Sequence, residues 1–336
     1  MKLLVIGAGA IGGCIGAQLA AAGHDVTLVD RETAHVAAMQ DRGLEICGPV
    51  ASFRTRVRAC LPEQLTGNYP VVLLCVKSQD TVKALKDLSP FVASEGFVVS
   101  MQNGLNEVLI AEALGEERAM GAFVNFGADY LEPGVIHYGG RGAVVVGELD
   151  GGMSQRVQAL RSALLAFEED ARISDNIFGY LWSKEAYGAM LFVTALTNDS
   201  IADALANRQH RDIYAAIARE VLAVACAGGI RPEAFNGFDP RAILLGSCEQ
   251  DAERSLEDMV AFNRRSAKTH SGIWRDLVLR KRPTEVVMYE QVLAAGAARG
   301  HAMPLTRRMK AMIHEIESGQ RSLARSNVDE LAGTLS

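Results

Sequence analysis

Lys2-Leu3-Leu4-Val5-Ile6-Gly7-Ala8-Gly9-Ala10-Ile11-Gly12 opens the chain, followed by a helical pattern to Ala22, a stop at Gly23, and Asp25-Val26-Thr27-Leu28-Val29-Asp30. An apolar run, a G-x-G-x-x-G turn, a helix and a second run closed by an acid are the parts of a dinucleotide-binding βαβ unit. Each glycine has a physical task. Gly7 turns the chain tightly, Gly9 lets backbone approach a pyrophosphate, and Gly12 lets the helix close on the strand. The helix then begins at Ala10 and Ile11, where backbone N–H groups without intrahelical partners and a partial positive charge face the phosphates. Asp30 stands near the distance from Gly12 that a ribose contact requires. An ordinary βαβ unit with a tight turn is the competing reading; the position after an apolar strand and before a helix favours dinucleotide binding.

The alternation continues outward from this unit. Val71–Val76, Phe97–Met101 and Ala143–Val146 are continuous apolar runs bounded by turn residues. Such runs predict strands buried on both faces, hence a parallel sheet with helices on each side. Asn125 to Gly147, with Pro133-Gly134 and Gly139-Gly140, predicts two or three strands joined by turns, antiparallel at the sheet edge. A helix over Ser154–Glu168 follows. From Ile177 onward the texture is helical, with helices expected over Leu181–Asp203, Arg211–Ala227, Ala252–Thr269, Glu285–Arg299 and Leu305–Glu317. The expected fold class is α/β: a Rossmann-type doubly wound domain over residues 1–172 and an all-helical domain over 173–336, for substrate and dimerisation.

Composition narrows the function. In 336 residues, 49% hydrophobic and 22% charged describe a compact globular protein with a large core. A net charge of −6, with no basic tract, argues against nucleic acid or an anionic membrane as partner. Cys14, Cys47, Cys60, Cys75, Cys226 and Cys248 are scattered and form no C-x-x-C pair, so they read as reduced thiols, and no metal site is expected. Without a signal segment or a membrane-length apolar run, a soluble cytoplasmic protein is expected.

Four sites carry chemistry. In Leu181-Trp182-Ser183-Lys184-Glu185-Ala186-Tyr187-Gly188-Ala189-Met190-Leu191-Phe192-Val193-Thr194-Ala195-Leu196-Thr197 the only charges are Lys184 and Glu185. Trp182, Ala186, Ala189, Val193 and Leu196 form one stripe, and Lys184, Gly188, Leu191 and Ala195 another. A helix apolar nearly all round is buried, and burial brings a lysine toward the neutrality a general acid or base needs. The alternative is a first-turn lysine reaching to solvent. Arg282-Pro283-Thr284-Glu285 opens a helix, where Thr284 can cap and Glu285 suits the positive end; capping alone explains it, and catalysis is the other reading. Ser100-Met101-Gln102-Asn103-Gly104 and Val76-Lys77 end strands. Cofactor and substrate meet at such ends in doubly wound sheets, although Asn-Gly is equally a turn and Lys77 equally a surface cation.

These motifs, in this order and over residues 1–318, resemble the ketopantoate reductases (2-dehydropantoate 2-reductases), including the Gly300-x-x-x-Pro304 break between the last helices. The resemblance implies a Rossmann domain for NADPH, a helical domain closing over a 2-keto acid, hydride transfer to the ketone carbon, and commonly a dimer. It implies further that Lys184 is the general acid that protonates the developing alkoxide, and that Glu285 holds substrate and orients the lysine region. Asn103 and Lys77 match cofactor-contacting positions. The chain also departs from the pattern. Gly188 and Phe192 replace asparagines that hold substrate in the family. Gly272 stands in the place of a serine, with Ser271 beside it, and one residue is inserted before Arg282-Pro283. Losing polar partners shifts specificity, so a substrate larger or more apolar than ketopantoate is expected, with Trp274, Tyr187 and Phe192 lining its pocket.

Asp30 favours NAD by bonding a ribose 2′-hydroxyl and repelling a 2′-phosphate. Arg31 stands where the resemblance places an NADPH-binding arginine, so NAD(P)H is expected with a preference for NAD. Competing readings are a β-hydroxyacid or opine-type dehydrogenase, whose lysine normally follows a glycine-rich helix start absent here, and a dinucleotide sensor without turnover, which needs neither Lys184 nor Glu285.

Overall fold

The structure is a computed structural model and describes residues 1–244, 249–265 and 269–335. The chain divides into two compact units, Met1–Ile177 and Phe178–Ser336.

The first unit is built on a sheet of ten strands: β1 (Lys2–Ile6), β2 (Asp25–Val29), β3 (Leu44–Cys47), β4 (Phe53–Thr55), β5 (Arg58–Cys60), β6 (Tyr69–Leu74), β7 (Val92–Ser100), β8 (Ala119–Glu132), β9 (Val135–Glu148) and β10 (Arg172–Ile173). The order is β4-β3-β9-β8-β7-β6-β1-β2-β5, with β10 on β9. Pairs from β5 to β8 are parallel, and β8 and β9 form an antiparallel hairpin through Pro133-Gly134. Helices α1 (Ala10–Ala21), α2 (Thr33–Arg42), α3 (Thr81–Leu88), α4 (Asn106–Leu114) and α5 (Gln155–Leu164) accompany the sheet.

Alternation explains the double winding. Leu3, Val5, Val71, Leu73 and Val99 pack with Ile15 and Leu19 of α1 and Leu160 of α5. Leu4, Ile6, Val72, Leu74 and Val98 point the other way, to Leu85 of α3 and Ile110 of α4. Successive residues of a strand face opposite sides, so continuous apolar runs bury both faces. The fold is therefore the Rossmann type expected from the sequence. The hairpin differs in one respect: it does not end the sheet, because β3 pairs with β9 and β4 lies beyond it. Those strands are short and half-polar, which hides them from a pattern search.

The second unit is helical; among its described residues an isolated bridge, Phe235 to Phe238, is its β-structure. Helix α6 (Ile177–Thr194) begins four residues before Leu181, so Lys184 lies two turns into the helix and not in its first turn. It ends short of Asp203: Ser200 caps a separate helix, Ile201–Ala206, by accepting from the Asp203 amide at 3.1 Å. The expected helix over Glu285–Arg299 enters through a tight turn, Val286–Met288, before Tyr289–Ala298. Ser266, Ala267 and Lys268, within the expected helix Ala252–Thr269, and Cys248 lie outside the described residues. Among the described residues no helix is long and apolar enough to cross a membrane.

Candidate active site

In the first unit the predicted motifs converge on the carboxyl ends of four adjacent strands, β7, β6, β1 and β2. Gly7 has φ +92°, and a Cβ there would meet the Val76 nitrogen at 2.9 Å, so the turn demands glycine. A Cβ on Gly12 would lie 2.8 Å from the Cys75 Cβ and 2.9 Å from Val5 Cγ1, which is the helix-on-strand contact expected of it. Gly9 precedes α1 without a capping side chain, and a Cβ on it would meet nothing within 4 Å. The helix start therefore has no capping side chain and open space beside Gly9, a cradle that a pyrophosphate fits.

Two motifs read separately in the sequence form one network. Gln102 is buried and donates from Nε2 to the Val76 carbonyl at 2.8 Å and to Thr81 Oγ1 at 2.7 Å. Thr81 donates to Asn106 Oδ1 at 3.1 Å, and Asn106 Nδ2 donates to Ser78 Oγ at 2.9 Å and to the Asn103 carbonyl at 2.6 Å. Ser78 closes the circuit onto the same carbonyl at 2.6 Å. The loop bearing Lys77 and the loop bearing Asn103 are thus one hydrogen-bonded body. Gln102 was legible only as part of a strand-end motif, and Thr81 and Asn106 escaped the sequence reading, because isolated polar residues give no periodic signal.

At the end of β2, Asp30 Oδ1 accepts from the Glu32 amide at 3.0 Å. Arg31 pairs with Asp80, across from β2 in the loop after β6, at 3.3 Å. Cys14 is buried in α1, and burial pushes its thiol up to about 12, so it serves as a small apolar residue.

In the second unit α6 has the two predicted stripes. Trp182, Ala186, Ala189, Val193 and Leu196 are all buried. Lys184, Gly188 and Leu191 are half-buried, whereas Ala195, expected on that stripe, is buried near the end of the helix. Phe192 is not on that stripe: at 3.6 residues per turn it sits about 80° round the helix from Lys184. It is 2% exposed and packs edge-to-face on Tyr289, with centroids 5.5 Å apart. Phe192 is therefore core and does not line a pocket. Tyr187 packs on Phe235 at 5.6 Å, and its hydroxyl accepts from Asn263 at 3.3 Å. Trp274 lies over His270 at 4.1 Å and donates from Nε1 to Asn198 at 3.2 Å.

Glu285 is half-buried on the turn before Val286. Thr284 ahead of it donates from both its amide and its hydroxyl to Glu317 at 2.7 Å, anchoring that turn to the helix Pro304–Glu317. Arg275–Arg280 is a π-helical turn, followed by Lys281 at φ +47°, in the stretch where the sequence led to the expectation of one extra residue. A π turn takes up one extra residue and leaves the downstream segment in place. Buried Asp276 secures it, accepting from Arg280 and Arg282 at 2.9 Å each. Ser271 caps the preceding short helix by accepting from the Trp274 amide. Among the described residues no group of three His, Cys, Asp or Glu could hold a metal.

Residues 3–151 match the family described as ketopantoate reductase PanE/ApbA, and residues 176–317 match its C-terminal counterpart. The chain belongs to the ketopantoate reductase family. A 2-dehydropantoate 2-reductase of Pyrococcus horikoshii is 30% identical over 75% of this chain and 81% of its own length. One of Pyrococcus abyssi is 34% identical over 55% of this chain, a stretch that spans 60% of that relative. In fold, the chain is similar to a ternary structure of D-mandelate dehydrogenase with NADH and anilino(oxo)acetate: TM-score 0.82, 21% identity, 95% of this chain and 99% of that one.

Proposed function

We propose that this ketopantoate reductase family member reduces a 2-keto acid to the 2-hydroxy acid, with NADH as the favoured cofactor and a substrate bulkier and more apolar than ketopantoate. The observation that carries the reading is Lys184 on a half-buried stripe of a helix most of whose other positions are buried. A lysine so placed can donate a proton to a carbonyl oxygen and stabilise the charge that develops on it. Glu285 holds the substrate and orients the lysine region.

Gly7, Gly9, Ala10, Ile11 and Gly12 would hold the pyrophosphate, Asp30 the adenosine ribose, and Lys77 and Asn103 the nicotinamide end. The bound nicotinamide supplies the hydride. The preference for NADH rests on charge: the Arg31 guanidinium is engaged by Asp80, and Asp30 ends β2 beside it in the chain, so a 2′-phosphate would meet an arginine already paired and an acid next to it. Substrate preference rests on residue type: neither Gly188 nor the buried Phe192 offers substrate a polar side chain on the Lys184 helix. The domain roles follow: residues 1–172 for the dinucleotide, 173–336 for substrate and for a homodimer in the cytoplasm.

A spectrophotometric screen of NADH and NADPH against 2-keto acids, ketopantoate included, tests the reading. Turnover is expected to be fastest with NADH and aryl- or branched-alkyl 2-keto acids. Tight dinucleotide binding without turnover of any keto or hydroxy acid would instead make the chain a sensor.

A further inference from the structure

Tyr289, which belongs to no recognised motif, joins the segments of Lys184 and Glu285. It is 0% exposed and starts the helix that follows Glu285, and its hydroxyl donates to the Glu185 carbonyl at 2.8 Å. Glu185 is the next residue after Lys184. A Cβ built on Gly188 would lie 3.0 Å from that same hydroxyl and 3.7 Å from the Met288 methyl. The hydroxyl is bonded to that carbonyl and its ring packs on Phe192, so a methyl group at 188 would press on a contact held from two sides. Burial, reinforced by the Glu185 carboxylate, keeps the phenol well above its ordinary range, so it remains a donor.

We infer that Gly188 and Tyr289 form a clamp: the missing side chain at 188 is a notch that seats the Tyr289 hydroxyl, and the resulting hydrogen bond sets the spacing between the Lys184 turn and the Glu285 turn. Tyr289 is a positioning residue, because it is fully buried and acts through the two segments it ties. The inference rests on the roles proposed for Lys184 and Glu285. It adds that residue 188 acts through its absent side chain on the protein side of the helix, and that residues 188 and 289 work as a pair.

Four proteins test it: the parent, G188A, Y289F and G188A/Y289F, each measured for urea midpoint, NADH affinity, and kcat and KM on the best 2-keto acid. Misplacing a catalytic group by a fraction of an ångström is costly, so G188A should lower kcat on the order of tenfold and Y289F about threefold, both with unchanged NADH affinity. Removing the hydroxyl makes room for the new methyl group. The double variant should therefore return to within about twofold of Y289F in kcat, and its urea midpoint should exceed that of G188A. Additive losses in both kcat and urea midpoint, or a Y289F enzyme with parental kcat, would overturn the clamp. If the parent turns over no 2-keto acid, the reading of Lys184 fails; the urea midpoints then decide the clamp alone, additivity overturning it and recovery in the double variant upholding it.

Discussion

His35 is 1% exposed and bonds from Nε2 to the carbonyl of Ala8, inside the glycine turn, at 2.9 Å. The amide of Gly134, from the β8–β9 turn, donates to Nδ1 at 2.9 Å. An amide can only donate, so Nδ1 accepts and Nε2 carries the proton: a neutral ring bridging the glycine turn and the hairpin. Replacing His35 by Ala strands two buried backbone groups, each costing about 1–3 kcal/mol. H35A should lower the Tm and weaken NADH binding together, measured by calorimetry and fluorescence titration; unchanged NADH affinity would confine His35 to a purely structural role.

Asp80 bears on cofactor choice. Its pair with Arg31 is largely exposed, and such pairs are worth about 0.2–1 kcal/mol. D80A should release Arg31 toward a 2′-phosphate and shift the NADPH-to-NADH affinity ratio about two- to fivefold toward NADPH, with NADH affinity nearly constant. An unmoved ratio in equilibrium titrations would remove Asp80 from the specificity argument.

Lys184 is the sharpest test of chemistry. General acid groups contribute about 10²–10⁴ in rate, so K184A should lose that much kcat while binding NADH as the parent does. Stopped-flow measurement of NADH oxidation checks it, and parental turnover would reject the lysine as proton donor.

The strand-end network predicts a coupled loss. Gln102→Leu removes the donor that satisfies the Val76 carbonyl and Thr81, at about 1–3 kcal/mol, and loosens the loops of Lys77 and Asn103. The urea midpoint should fall and KM for NADH should rise; a stable variant with unchanged KM would show that the two loops hold their places independently.

Acid should loosen the helix Ser326–Ala332, which carries Glu330. Arg321 and Arg308 hold the Glu330 carboxyl down at about 2, from an ordinary value of 4.5. A carboxyl lowered in the folded state stabilises above its unfolded value, and that contribution disappears as pH falls from about 4.5 through about 2. Since the group is exposed, salt screens the effect. E330Q should flatten the dependence of Tm on pH over that window, most clearly at low ionic strength.

The features legible in the amino-acid order alone are those that local rules encode. Gly7, Gly9 and Gly12 between two apolar runs marked the βαβ start; the tight turn at Gly7 and the helix-on-strand contact at Gly12 admit glycine alone. Continuous apolar runs fixed a sheet covered on both faces, and two stripes at helical spacing set Lys184 apart from the buried stripe of α6. Tertiary structure decided the rest. The covering of β9 by β3 and β4, the joining of the Val76 and Gln102 loops, and the seat of the Tyr289 hydroxyl at Gly188 are contacts between residues distant in the chain, which periodicity cannot register. Phe192 shows the limit most plainly: counting residues from Lys184 assigned it to a pocket, whereas helical rotation and the ring of Tyr289 bury it in the core.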